Sequence, residues 1–337
     1  MLSSNHGFPI QNGFGLNQAQ QARANSYSYR LFSELYLNGV TAVSLPYLQQ
    51  IPELTAVLPQ PFSADTAAAN HHELFQFNVF AYESFFLGDD GLIGGEKTAV
   101  VNQHYFQLGF ETAVADTQAD HLGQELACLA FLVGQEAEAW ESNATHSADT
   151  WRTKQRFFME THLLHWAPPC LLAIQQQPDP FFAKLADLTL TLLLAHFGSL
   201  IGKSASHPLT VFPQNPNVLA DEKTGFREIV HFLLLPAFSG IYLSRDTIGQ
   251  LGRQFELPRG FGSRETMLLN LLRTAVQYEA LPALLSALQE SCQGWQTSYQ
   301  QLSDTHPQTT LFVQPWQARA AATEQMLLEL MESSIAE

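Results

Sequence analysis

Hydrophobic residues recur at intervals of three and four along most of the chain, which is the period of an amphipathic helix. The alternation with period two that marks strands is scarce, and Ala, Leu, Gln and Glu, which favour helices, dominate the long segments. The pattern predicts an all-α helical bundle. The clearest apolar stripe consists of Leu122, Leu126, Leu129, Leu132 and Val133. Helices are predicted near residues 19–38, 45–57, 66–87, 96–108, 118–141, 148–175 and 179–202, then near 221–235, 244–256, 263–277, 280–302 and 316–334.

Proline-rich and glycine-rich breaks divide this pattern. The segment 204–217 contains three prolines and is predicted to be a linker. It would separate a helical domain over residues 1–203 from a C-terminal helical extension over residues 218–337. Within the helices, Pro168 and Pro169 should kink or interrupt the segment 148–175.

The start of the predicted helix 118–141 carries an unusual run of polar residues. Thr117 is a candidate N-cap, with Asp120 three positions later reaching back toward its amide as in a capping box. His121 is predicted to cap nothing, and Glu125 stands one turn further on the same face. A His121–Glu125 pair can either brace the helix surface or take part in recognition, and the sequence leaves both open.

Composition and charge narrow the classes of function. The chain is 46% hydrophobic with 24 Phe and only 14% charged residues, which is typical of a globular protein. Its 16 basic and 32 acidic side chains give a formal net charge of −16. Such a charge opposes binding to nucleic acid and favours binding of a basic peptide, although an acidic surface also simply keeps a protein soluble.

The expected compartment is the cytoplasm. The cysteines Cys128, Cys170 and Cys292 are far apart and form no Cys-x-x-Cys pair, so reduced thiols are expected. The first residues lack the basic and apolar regions of a secretory signal peptide. The longest apolar run, residues 188–197, is about half of what a bilayer requires.

The sequence gives little evidence for a catalytic site or a metal site. A di-iron bundle needs two Glu-x-x-His motifs, and only Glu228-Ile-Val-His231 fits. His162 and His165 lie on adjacent turns without an obvious carboxylate ligand and are expected to form hydrogen bonds in or near the core beside Trp166. No nucleophile elbow or triad is present. The sequence therefore predicts no catalytic residue, no metal and no cofactor.

Several motifs, taken in order, resemble those of the TorD/DmsD/NarJ-type chaperones, which are cytoplasmic maturation factors for molybdopterin-containing oxidoreductases. The matching segments are residues 80–88, 103–109, Asp120-His121-Leu122 with Glu125-Leu126, residues 157–168 and residues 181–189. The resemblance covers roughly residues 25–203. It departs from the family pattern at Ala119, where a proline usually precedes Asp-His, so the loop that carries Asp120 is expected to differ in shape.

The resemblance implies a binding protein rather than an enzyme. Its partners would be the apo catalytic subunit and the twin-arginine-type signal peptide of a molybdopterin oxidoreductase, with the chain acting as monomer or dimer and without membrane insertion. The alternatives are a metal-dependent helical enzyme and a scaffold that keeps the fold without binding signal peptides. The residues implied in client binding are Asp120, His121, Glu125, Tyr82, Glu83, Tyr105 and Trp166.

Overall fold

A computed structural model describes residues 17–112, 117–201, 212–220, 224–258 and 260–336. Within these ranges the regular elements are helices, and no β-strand element is present. The all-α class predicted from the apolar periodicity is therefore confirmed. Residues 204–211 of the predicted linker and the first residues of the chain lie outside the described ranges.

Backbone contacts group the described residues into two compact units that interleave along the chain. The first takes those within Met1–Leu74, Gly94–Ala167 and Ile174–Leu209. The second takes those within Phe75–Ile93, Pro168–Ala173 and Thr210–Glu337. The division of the chain at residues 203 and 218 remains a prediction about which segments fold independently.

The first unit is built on a pair of long helices. It contains α1 (Gln18–Asn38), α2 (Leu45–Leu48), α3 (Pro52–Thr55), α4 (Ala64–His72), α6 (Glu96–Leu108), α7 (Leu122–Glu141), α8 (Thr145–Phe158) and α10 (Pro180–Leu200). Helix α1 packs along α7, and α7 packs against α8. Gly123 lets α1 approach closely, because a Cβ there would lie 2.6 Å from Leu37 Cγ. The predicted apolar stripe of α7 is buried in this core.

The second unit holds most of the C-terminal half. It contains α5 (Glu83–Leu87), α11 (Phe226–Leu234), α12 (Pro236–Ser239), α13 (Arg245–Gln254), α14 (Arg264–Gln277), α15 (Leu281–Thr305) and α16 (Thr310–Ala336). Helices α15 and α16 pack against each other, joined by a short 3₁₀ turn at Pro307–Thr309. Trp295, Tyr299 and Trp316 are fully buried between these elements.

Two of the predicted long helices are interrupted. The segment 45–57 forms α2 and α3, which are separated because the residue before Pro52 is extended. The segment 66–87 forms α4, a π-helical turn at Glu73–Asn78 and α5.

The proline pair does not interrupt its helix. Pro168 and Pro169 lie inside α9 (Leu164–Gln175), and the irregular part is a π-helical turn at Met159–Leu163 just before it. Similarly, α16 begins at Thr310 and includes Pro315, instead of starting after it as predicted.

By length and composition alone, α10 could cross a membrane, with a mean hydropathy of 1.3 over its most apolar 18 residues. However, 56% of that stretch is buried inside the protein, as in the core helix of a soluble protein. It is therefore weak support for a membrane span.

Candidate functional site

The site predicted at the start of α7 is a tight turn followed by an N-cap. His121 N–H donates to Gln118 O at 3.1 Å, which closes a turn over residues 118–121. His121 then has extended backbone angles and caps α7, because its Nδ1 accepts a hydrogen bond from Gly123 N–H at 3.1 Å. The predictions that Thr117 caps this helix and that His121 caps nothing are wrong. A neutral imidazole nitrogen can replace the usual cap oxygen as acceptor.

Helix α6 contacts this turn with two side chains. The Thr98 hydroxyl donates to Asp120 Oδ1 at 2.6 Å, and the Tyr105 hydroxyl donates to Ala119 O at 2.8 Å. Asp120 is completely buried, and Tyr105 is 2% exposed. The Asp120 carboxylate is thus an acceptor inside the protein rather than part of an exposed acidic rim.

Glu125 and Trp166 meet in the same unit. Trp166 Nε1–H donates to Glu125 Oε2 at 3.2 Å, and both residues are fully buried. The indole therefore connects the first turn of α9 to the first turn of α7.

Burial sets the electrostatics of these groups. It lowers the pKa of His121 to about 4, an effect that the charge of His71 increases and that of Asp120 opposes. His121 is therefore neutral from pH 6 to 8. Burial, followed by the charge of Glu125, also raises the pKa of the Cys128 thiol well above its ordinary value.

Tyr82 and Glu83 lie in the second unit, at the start of α5. Tyr82 is the half-buried N-cap residue of α5, and Glu83 in its first turn is buried. Phe86 of the same helix stacks on Tyr242 at 5.4 Å between ring centroids. The other five predicted residues, Asp120, His121, Glu125, Tyr105 and Trp166, lie in the first unit.

The histidines considered as metal ligands have other partners. His162 and His165 are buried as expected, and His162 Nε2 lies 2.7 Å from Nδ1 of His104. Glu228 accepts a hydrogen bond from Gly225 N–H at 2.9 Å and so caps α11. Among the residues that the structure describes, no three His, Cys, Asp or Glu side chains are placed to hold one metal ion.

The sequence reasoning missed a buried polar network in the first unit. Glu136 accepts from Arg152 at 3.0 Å and from Gln155 at 2.8 Å, and Gln155 Oε1 lies 3.1 Å from His196 Nε2. Tyr29 Oη is 3.1 Å from the other ring nitrogen of His196. The position of Glu136 in the sequence could have indicated this network. It is a carboxylate four residues after Leu132, in the apolar stripe of α7, where burying an unpaired charge is costly.

Comparison with known proteins finds one family for this region. The family model described as nitrate reductase delta subunit matches residues 42–171. Comparisons with curated proteins and with solved structures give no match. The matched segment contains α6, the turn at 118–121 and α7, which carry most of the predicted site. Over residues 42–171 the chain therefore matches the nitrate reductase delta subunit family, that of the NarJ/TorD-type chaperones that its motifs resemble.

Proposed function

We propose that the chain is a cytoplasmic maturation chaperone that binds the apo catalytic subunit, the twin-arginine-type signal peptide, or both, of a molybdopterin-dependent oxidoreductase. It would assist cofactor insertion before the client is assembled or exported. The observation that carries this proposal is the family match over residues 42–171, because proteins of that family act as maturation chaperones for molybdoenzymes. Proteins of this family are generally not enzymes.

Burial divides the roles of the seven candidate residues. Tyr82 is the most exposed of them and can contact a client directly. Asp120 and Glu125 are completely buried, as is Trp166. We assign these three a supporting role, in which they fix the ends of α7 and α9 from inside, while the client binds the adjoining surface.

Charge supports a basic partner. At a net charge of −16 the chain attracts the arginine-containing start of a signal peptide at low ionic strength, and this attraction weakens as salt screens it.

Affinity purification from the native cytoplasm tests the proposal. Tagged full-length chain, expressed while molybdoenzymes are induced, should retain a molybdopterin oxidoreductase catalytic subunit that mass spectrometry identifies and metal analysis finds free of molybdenum. Recovery of no such subunit would contradict the chaperone function.

A peptide experiment tests the finer claim. A synthetic peptide of the recovered client's N-terminus is compared with the same peptide in which both arginines are glutamines. The arginine peptide should bind more tightly, and its advantage should shrink between low salt and about 0.5 M salt, where the screening length is only a few ångströms. Equal affinity of the two peptides would exclude recognition of the twin arginines.

A further inference from the structure

The turn before α7 is held from one face of α6. Thr98 and Tyr105 are seven positions apart, which is two helical turns, so both point in the same direction. Thr98 donates to the Asp120 carboxylate at 2.6 Å, and Tyr105 donates to the carbonyl of Ala119 at 2.8 Å. All four residues are at most 5% exposed.

These contacts fix two consecutive residues of one turn. The hydrogen bond from His121 N–H to Gln118 O makes Ala119 and Asp120 the two central residues of the turn. Proline is favoured at the first central position, because its ring presets φ, whereas alanine leaves that angle free. Alanine at position 119 therefore does not itself fix the shape of the turn. The hydrogen bond from the Tyr105 hydroxyl and the charge-assisted hydrogen bond from Thr98 constrain it instead.

We propose that Thr98 and Tyr105 are positioning residues, which hold the turn at 118–121 and thereby the N-cap of α7 in the shape that binds the client. The part of this inference that concerns the client rests on the proposed function. Neither side chain has to touch the client, since each acts through the backbone or carboxylate that it bonds.

Four variants separate positioning from general stability. Thr98→Val and Tyr105→Phe each remove one hydroxyl at nearly constant shape. Thr98→Ser keeps the donor and is the conservative control. Val101→Ala is the matched stability control, because Val101 is fully buried on the same face of α6 and its loss leaves both hydrogen bonds to the turn in place.

Amide hydrogen exchange reads out the turn without any client. In Thr98→Val and Tyr105→Phe, the amides of residues 121–125 should exchange about 10-fold faster relative to the rest of α7, as expected for loss of one hydrogen bond. Thr98→Ser should resemble the wild type, and Val101→Ala should accelerate α7 evenly. If all variants accelerate α7 evenly, or if none changes residues 121–125, the positioning role is overturned.

Client retention is the second readout and distinguishes the two proposals. In the affinity purification, the Thr98→Val and Tyr105→Phe variants should recover several-fold less molybdoenzyme subunit than the Val101→Ala variant. This difference should hold although the Val101→Ala variant is no more stable than the other two. If they recover as much as Val101→Ala does, their role in binding is overturned. If the wild type itself recovers no such subunit, the chaperone function fails, whereas the exchange rates still decide whether α6 holds the turn.

Discussion

At the scale of single residues, the Asp-His pair works mainly inside the protein. Asp120 accepts from Thr98, and His121 accepts from the amide of Gly123 with its Nδ1. That role requires a neutral ring, since a protonated imidazole has no acceptor nitrogen. The lowered pKa of His121, about 4, keeps the cap intact near neutral pH.

Substitution of His121 tests the cap. His121→Ala should lower the free energy of unfolding by about 1 kcal/mol at pH 7, the usual cost of losing an N-cap. His121→Asn places an amide oxygen in the capping position and should recover most of that loss. Denaturant titration of the three proteins measures the difference. Equal stability of the Ala and Asn variants would show that the cap contributes nothing.

The same residue predicts a pH dependence with a definite sign. His121 has a folded-state pKa of about 4, below its ordinary 6.5, so the unfolded chain binds a proton that the folded chain does not. The contribution of neutral His121 to the free energy of unfolding is complete above pH 6.5. It is lost as the pH falls toward 4, by about 1.4 kcal/mol per pH unit within that window.

Comparison with His121→Asn isolates this contribution, because buried His165 and His196, with pKa values of about 4 and about 3, titrate in both proteins. The wild type should therefore lose stability faster than the Asn variant between pH 6.5 and 4. Parallel curves would mean that His121 titrates normally in the folded protein.

Residue-level features were predictable where they depend on neighbours in sequence. Ser244 and Ser263, for example, cap the helices that follow them and accept hydrogen bonds from the amides three residues on, at 3.0 and 3.2 Å. The bond from Thr98 to Asp120 spans 22 residues. A contact of that kind depends on how α6 packs, and no local pattern specifies it.

At the scale of elements, periodicity located the helices and missed their irregular parts. Helices α1, α6 and α10 begin and end within two residues of the predicted bounds. The two π-helical turns, at Glu73–Asn78 and Met159–Leu163, keep the apolar spacing close to that of an α-helix and so leave little trace in the pattern.

The end of α12 depends on side chains that converge from other elements. The Ser239 carbonyl accepts from Thr323 at 2.8 Å, and that of Gly240 accepts from Tyr299 at 2.9 Å. Gly240 has a φ of +71°, and a Cβ there would lie 2.4 Å from the backbone nitrogen of Ala320. Both the backbone conformation and the space therefore require glycine at this position.

Gly240→Ala should destabilise the protein by about 2 to 4 kcal/mol, which combines the cost of left-handed backbone with overpacking. Gly109→Ala is the matched control, because Gly109 has a φ of +79° and no atom within 4 Å of the added Cβ. It should cost only about 1 kcal/mol. Thermal unfolding measures both, and equal losses would refute the steric contact with α16.

At the scale of the whole molecule, the sequence predicted the fold class and the family that residues 42–171 match, but not which segments pack together. A division at residue 203 follows from the prolines of 204–217, since breaks in composition often mark domain boundaries. Yet residues 75–93 group with the C-terminal half in the second unit. Their hydrophobic pattern gives no information about which distant helix covers them.

Within the second unit, residues 75–93 make contacts with the C-terminal half that would be absent from a shorter chain. Tyr242 donates to Asn78 O at 2.9 Å and stacks on Phe86. The guanidinium of Arg264 lies 5.2 Å from the ring centroid of Phe80. Phe85, Phe86 and Leu87 are each at most 3% exposed.

A fragment of residues 1–203 should therefore fail to fold as a stable monomer. Exposing three such side chains costs about 1.5–3 kcal/mol each, which approaches the whole stability of a typical domain. The fragment should aggregate or bind a hydrophobic dye, and co-expression of residues 204–337 as a separate chain should restore a soluble complex, because it returns Tyr242 and Arg264 to residues 75–93. A soluble fragment that unfolds cooperatively on its own would instead support an independent N-terminal domain ending at residue 203.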